Sequence, residues 1–533
     1  MPAIVFTHLS FHYDTPYAEV FRDVDLLIDS GWRAGLVGRN GRGKTTMLRL
    51  ITGELSPTAG SLHVPFEAQL FPPRSEPAPG TRTFDVIKDA LGPYRTWEAD
   101  MQGLLEDGSE PAIERYSAIQ ETYQAAGGYE VDAAIAREFD AMRLAASLLE
   151  RDFHTLSGGE RTRALITSLF LLTDRYPLID EPTNHLDANG RTALADYLAA
   201  KAGFLLVSHD RRFLDRTVDH VASINASDVR VNQGTYAEWK AQIETEELHE
   251  ARTRDNIERQ VRQLKRAAAE RRQGAASREA DKHSNSASSG GSAMLDTGFI
   301  GHRAAKQMRR ALNIERRMNA ALADKEGLLA NREKERELRV TTSNARSDAL
   351  LTVQNLGLER DGRQLFHDLS FAIEAGERIA ITGANGTGKS SLLDIITGDL
   401  EPSGGLVSRK SYIHVARSYQ IPRWRSGNLR DHLVAAAIDE TRFRQMMGVV
   451  GVSGDVFEAP LETFSQGQLK KVDLVHSLMS EADLLLWDEP LNYIDVMGRE
   501  QIESAILDNE PTLLFVEHDL EFVERVATRI VAL

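Results

Sequence analysis

The residues best suited to chemistry come in two glycine-rich sets. GLVGRNGRGKTT, ending at Thr46, and ITGANGTGKSS, ending at Ser391, both fit G-x-x-x-x-G-K-[ST] between a strand-like and a helix-like run. Gly38, Gly41 and Gly43 around Asn40, and Gly383, Gly386 and Gly388 around Asn385, let backbone N–H groups approach a phosphate. The helix that follows adds its positive N-terminal end. Lys44 and Lys389 reach the terminal phosphates, while Thr45 and Ser390, followed by Thr46 and Ser391, can ligate Mg²⁺.

Farther along, PLIDEPTNHLD and LLLWDEPLNYID each end an apolar run with an acidic pair. Asp180 and Asp488 are placed to hold Mg²⁺, and Glu181 and Glu489 to polarise an attacking water, since phosphoryl transfer asks mainly for positioning and charge stabilisation. LSGGE, with Ser157, and FSQGQ, with Ser465, offer hydroxyls and amides to an anion. Ser157 to Asp180 and Ser465 to Asp488 are both 23 residues, and the steps on to His209 and His518 are 29 and 30. A whole functional layout is therefore duplicated, which turns an ordinary strand-end Asp-Glu pair or a lone histidine into a site candidate.

The elements that position these residues fill a chain of 533 residues, 42% hydrophobic and 27% charged, enough for several cores. No window approaches the length of an apolar membrane span, and MPAIVFTHLSFHYD does not read as a leader, so cytoplasmic residence is expected. The absence of cysteine excludes disulfides, thiolate catalysis and Cys-ligated metals. A net charge of −16 argues against nucleic acid coating the whole protein.

Lys44 to Ser157 spans 113 residues against 76 for Lys389 to Ser465, so the first copy carries about 37 extra residues. They are expected within 84–149, as short helices broken at Gly108 and Gly127-Gly128, forming either a docking arm or a variable helical subdomain. The domains read as 1–234, a linker at 235–345 and 346–533. In the linker, Ile257, Val261, Leu264 and Ala268, then Met318, Leu322 and Leu329, form stripes suited to a long antiparallel helical hairpin. Basic residues outnumber acidic ones by ten to five over 252–282 and by six to one over 303–317, which favours a phosphate-rich partner over plain solvation. At its tip, about 284–302, the apolar Met294, Leu295, Phe299 and Ile300 either contact RNA bases or fold back as a cap, with Arg303, Lys306, Arg309 and Arg310 placed for RNA phosphates.

The ordered motifs resemble those of ATP-binding-cassette ATPases, over about four-fifths of the chain. The resemblance implies an α/β fold, with two tandem P-loop cassettes, each with an antiparallel β portion and a helical subdomain. Paired head to tail within the chain, they would enclose two ATPs with Mg²⁺ and need no further subunit. Ser157, Gly158, Gly159 and Glu160 would meet the nucleotide on Lys389, and Ser465, Gln466, Gly467 and Gln468 the one on Lys44. Asp187 and Asp495 would cross the interface, and His209 and His518 would contact the terminal phosphate. Tyr13 would stack on adenine, with Leu358 or Arg360 in that region of the second cassette. Gln420 fits the glutamine loop that completes the Mg²⁺ site, and Gln69 is assigned that role in the first cassette from AQLFPPR. Gln466 departs from the signature glycine, so the two sites are expected to differ.

Two cassettes, the insertion and the linker resemble the ABC-F proteins, and FSQGQ, DEPLNYID and DTGFIGHRAAKQMRR their antibiotic-resistance branch. That implies an ATP-bound form at the ribosomal exit site, touching large-subunit rRNA and an initiator or peptidyl tRNA, with the linker protecting the peptidyl-transferase region and hydrolysis releasing the protein. The chain stops at TRIVAL soon after His518, so RNA contacts are expected from the linker, insertion and cassette surfaces. The competing readings are a housekeeping ABC-F translation factor, the soluble ATPase of a drug exporter, and a DNA-repair or chromosome ATPase.

Overall fold

The computed structural model describes residues 2–14, 17–73, 75–172, 174–184, 186–225, 228–246, 248, 249, 252, 259, 263, 349–360, 362–452 and 454–533. The linker stripes, the tip at Met294 to Ile300 and the basic set Arg303, Lys306, Arg309 and Arg310 lie outside the described residues. The chain divides into two units, of which one joins Met1–Ala237 with Glu335–Leu533 and so contains both cassettes; the other is Glu238–Lys334.

In the first cassette the strands are β1 (Ala3–Asp14), β2 (Tyr17–Asp29), β3 (Arg33–Gly38), β4 (Ala59–His63), β5 (Glu67–Phe71), β6 (Arg175–Asp180), β7 (Phe204–Val207), β8 (His220–Ile224) and β9 (Val229–Gln233). A sheet of order β5-β6-β7-β3-β8-β9 is parallel except where β9 joins, and β2-β1-β4 form a separate antiparallel sheet. Buried runs such as FLLV in β7 are apolar on both faces, as helix-covered parallel strands must be.

The second cassette repeats this with β10 (Leu351–Arg360), β11 (Arg363–Ile373), β12 (Arg378–Thr382), β13 (Gly404–Arg409), β14 (Val415–Ser418), β15 (Leu484–Asp488), β16 (Leu513–Val516) and β17 (Arg529–Ala532). Its parallel sheet runs β14-β15-β16-β12-β17 and its antiparallel one β11-β10-β13. The repeat extends to local strain: His8 and Asn355 both have positive φ, and a side chain on Gly60 or Gly405 would lie 2.2 or 2.3 Å from their carbonyl oxygens.

Between β5 and β6 come helices Thr83–Leu91, Tyr94–Asp107, Glu110–Ala125, Val131–Ala141 and Gly158–Leu171, whereas between β14 and β15 there are Leu429–Ala435, Glu440–Val449 and Gln466–Met479. The extra pair, Tyr94–Asp107 and Glu110–Ala125, stops at Gly108 and just before Gly127, both left-handed. Tyr94, Trp97 and Tyr123 meet edge to face between them, and the Tyr123 hydroxyl donates to Glu98 at 2.6 Å. Among the described residues, no helix is long and apolar enough to cross a membrane.

Candidate nucleotide sites between the two cassettes

Each phosphate loop joins the end of a buried strand to a helix start, β3 to Lys44–Ile51 and β12 to Lys389–Thr397. Gly43 (φ 92°) and Gly388 (φ 99°) turn the chain where a side chain would strike Val20 at 2.4 Å or the Phe366 ring at 3.0 Å. Lys44 Nζ donates to the Gly38 carbonyl at 2.6 Å, and Lys389 Nζ to those of Gly383 and Ala384 at 2.9 and 2.8 Å. Thr45 Oγ1 lies 3.1 Å from Asp180 Oδ2, and Ser390 Oγ 3.2 Å from Asp488 Oδ1. A hydroxyl beside a carboxylate at the mouth of a glycine loop is a hard oxygen donor set suited to Mg²⁺ with nucleotide. Burial lowers the pKa of both lysines, and Asp495, Glu181 and Asp180 oppose that at Lys44.

Glu181 and Glu489 follow β6 and β15 in the left-handed conformation, with φ 49° and 50°. His209 Nε2 stands 3.3 Å from Glu181 Oε1 and His518 Nε2 3.6 Å from Glu489 Oε1. Glu181 Oε1 and His518 Nε2 are buried without a hydrogen-bond partner, which leaves polar atoms for a phosphate or a water to satisfy. The two glutamates sit in opposite electrostatic settings. Burial and then Asp180 push Glu181 up to about 8, whereas at Glu489 burial is overcome by His518 and Asn492, leaving about 2.

Ser157 and Ser465 cap the helices Gly158–Leu171 and Gln466–Met479 in capping boxes with Glu160 and Gln468. Their bonds in this structure are therefore to their own helix starts. Gln466 is exposed at the first helical position, and Gly467 is tight, since a side chain there would meet Tyr493 Cβ at 3.0 Å.

The cassettes bond each other through the loops after the acidic pairs. Asp495 Oδ2 accepts the Asn40 N–H at 2.8 Å, and Asn40 Nδ2 donates to the Tyr493 carbonyl at 2.8 Å. Asp495 thus reaches the first phosphate loop, while Asp187 caps its own helix through Gly190 N–H and acts electrostatically on Lys389. Arg191 donates to Asp210 at 2.9 Å and to the His518 carbonyl at 3.1 Å. Arg211, buried, pairs with the buried Glu503 and lies 3.2 Å from Glu521.

The strand register corrects one sequence assignment. Phe71 pairs with Ile179 just as Ser418 pairs with Trp487, so the position matching Gln420 is Pro73, not Gln69. Gln69 pairs instead with Pro177 in mid-strand, and its Oε1 accepts from Arg175 at the opposite end of β6 from Asp180. Register also separates the two base candidates of the second cassette. Leu358 matches the buried Phe11 and belongs to the core, and Arg360 matches Tyr13, whose hydroxyl lies 3.1 Å from Thr46 Oγ1. Sequence reading passed over Arg191 and Arg499, although each follows the interface aspartate by four residues in both copies. Arg499 donates to Asp519 at 2.8 Å, as Arg191 does to Asp210.

A family model described as ABC transporter matches residues 21–184 and 366–492. The energy-dependent translational throttle protein EttA of Mycobacterium tuberculosis is 26% identical, with 96% of this chain and 88% of that protein covered. The tylosin resistance ATP-binding protein TlrC of Streptomyces fradiae is 28% identical over 94% of this chain and 92% of its own length. The fold is shared with a chain in a crystal structure of the archaeal ribosomal stalk protein aP1 complexed with the archaeal ribosome recycling factor aABCE1, at TM-score 0.60 and 18% identity, covering 98% of this chain and 87% of that one. The chain belongs to the ABC transporter family, as an ATP-hydrolysing member of the ABC-F type that uses ATP with Mg²⁺.

Proposed function

We propose that this ATPase binds the ribosome while ATP holds its cassettes together and leaves after hydrolysis. The observation that carries the reading is the set of bonds by which one cassette reaches the other's phosphate loop, Asn40 with Asp495 and Tyr493. Nucleotide sites completed within one chain need no second ATPase subunit, and the likeness to a protein named as a translational throttle supports translation as the process served.

In this reading the phosphate loops and Lys44 or Lys389 hold the nucleotide, and Thr45 with Asp180, or Ser390 with Asp488 and Gln420, hold Mg²⁺. Bound Mg²⁺-ATP supplies the phosphoanhydride to be cleaved and the cation that neutralises its charge. Glu181 and Glu489 orient and polarise water, with His209 and His518 beside them. Ser157 to Glu160 and Ser465 to Gln468 close each site from the opposite cassette. Tyr13 faces the base of the first nucleotide, and the linker with its tip forms the ribosome-facing part of domain 235–345.

The finer reading is protection of the peptidyl-transferase region from an antibiotic, supported by the likeness to a tylosin resistance protein and by the apolar-then-basic run 294–310. Purified ribosomes should stimulate ATP turnover, and Ser/Gly replacement of Met294, Leu295, Phe299 and Ile300 should remove drug protection while nucleotide binding persists. Stimulation by membrane vesicles and not by ribosomes would favour the exporter ATPase instead.

A further inference from the structure

Helix Gln466–Met479, which opens with the FSQGQ segment, sends a buried cation into its own cassette. Lys470, 3% exposed, donates from one Nζ to the Tyr419 carbonyl and, at 2.7 Å, to the Asp488 carbonyl. Three residues on, Asp473 Oδ2 accepts the Tyr419 N–H at 2.7 Å. Each of those carbonyls belongs to a planar peptide unit whose nitrogen is that of the next residue. Those residues are Gln420 and Glu489, so one ammonium holds the peptide planes leading to both.

The first cassette has none of this. At the positions of Lys470 and Asp473 it carries Thr162 and Leu165, counting from Ser157 as from Ser465. At the position of Tyr419 the strand register puts Pro72, which has no N–H to give. Donor, acceptor and cation are thus missing together, so the arrangement is a feature of the second cassette and not of the shared fold.

We propose that Lys470, with Asp473, is a positioning residue of the second ATP site: it fixes the Gln420 and Glu489 backbones to each other. The proposal rests on the reading of Gln420, Asp488 and Glu489 given above.

The test uses the full chain in two backgrounds, Glu181→Gln, which leaves the glutamate beside Lys389's nucleotide, and Glu489→Gln, which leaves the other. Hydrolysis is read in a single turnover of bound ATP, so that chemistry at one site is seen even if continuous cycling stops. Lys470→Thr, the first cassette's own residue, should slow hydrolysis about tenfold to a hundredfold in the Glu181→Gln background, the usual scale for a slightly misplaced group. The half-saturating Mg²⁺ concentration should rise while nucleotide affinity stays the same. In the Glu489→Gln background the same substitution should leave the rate within about twofold, less than 0.5 kcal/mol of barrier. Lys470→Arg should recover part of the loss. Equal slowing in both backgrounds, or none in the first, overturns the proposal. Asp473→Leu, again the first cassette's residue, carries the same comparison if Lys470→Thr does not fold. If neither glutamate substitution alone slows hydrolysis, it is the assignment of the glutamates that fails, and the proposal falls with it.

Discussion

At the residue scale, Glu181 and Glu489, the two glutamates proposed to polarise water, have opposite electrostatic settings. Glu181 is raised from 4.5 to about 8, so the folded protein keeps a proton that the unfolded chain has released. Stability of the nucleotide-free, Mg²⁺-free protein therefore falls as pH rises through that window. Glu489, depressed to about 2, contributes stability that is complete above 4.5 and is lost only as pH falls toward 2. Thermal midpoints between about pH 5.5 and 8.5 should show Glu181→Gln gaining on wild type as pH rises, and Glu489→Gln keeping a constant deficit. A flat difference for Glu181→Gln would contradict the assignment.

Gly43 gives a second prediction at this scale. Its φ of 92° and the 2.4 Å approach to Val20 leave no room for a Cβ. Gly43→Ala should cost about 1–3 kcal/mol in strain and overpacking, and weaken nucleotide binding at the first site alone. Calorimetric titration should then count one tight site, whereas two unaffected sites would refute the point.

At the scale of elements, the interface is held by charges in an asymmetric way. Arg211, at the start of helix Arg211–Thr217, enters the second cassette against Glu503, of helix Val496–Asn509, with only 5% and 1% of the side chains exposed. Duplicated register puts Leu520 and Ala195 at the corresponding positions, so no matching pair exists on the other side. Removing Arg211 leaves the buried Glu503 facing the half-exposed Arg525 at 3.1 Å, and Arg211→Met should destabilise the paired cassettes by about 3 kcal/mol. Arg211→Met with Glu503→Met should cost less than the two single changes summed, measured by denaturant unfolding; strict additivity would show that the pair is not coupled.

How much of this was legible in the sequence follows from what duplication encodes. The phosphate loops, signatures, acidic pairs and histidines recur in the same order, with 23 residues from signature serine to acidic pair in both copies, so each copy identifies the other, and helix breaks announce themselves at Gly108 and Gly127. The glutamine in AQLFPPR lies inside the strand, and only the pairing of Phe71 with Ile179 shows that Pro73 stands where Gln420 does. Arg191 and Arg499 carried the same duplicated signal as the aspartates before them. What they bond, a carbonyl in the other cassette for Arg191, is set by tertiary packing that spacing does not encode.

At the scale of the whole molecule, the two candidate ATP sites share one interface, and the bonds from Asn40 to Asp495 and from Arg191 to the His518 carbonyl tie each cassette to the other's candidate site loops. Closure and nucleotide binding are then linked: a ligand that favours the closed pair shifts the population toward it by its differential affinity. A Glu181→Gln/Glu489→Gln variant should bind ATP, hydrolyse it slowly and accumulate closed. The most direct test is co-sedimentation of this variant with purified ribosomes, with ATP, with ADP and without nucleotide, beside a membrane fraction. The account predicts recovery with ribosomes in ATP alone. Recovery with membranes, or ribosome binding indifferent to nucleotide, would contradict it.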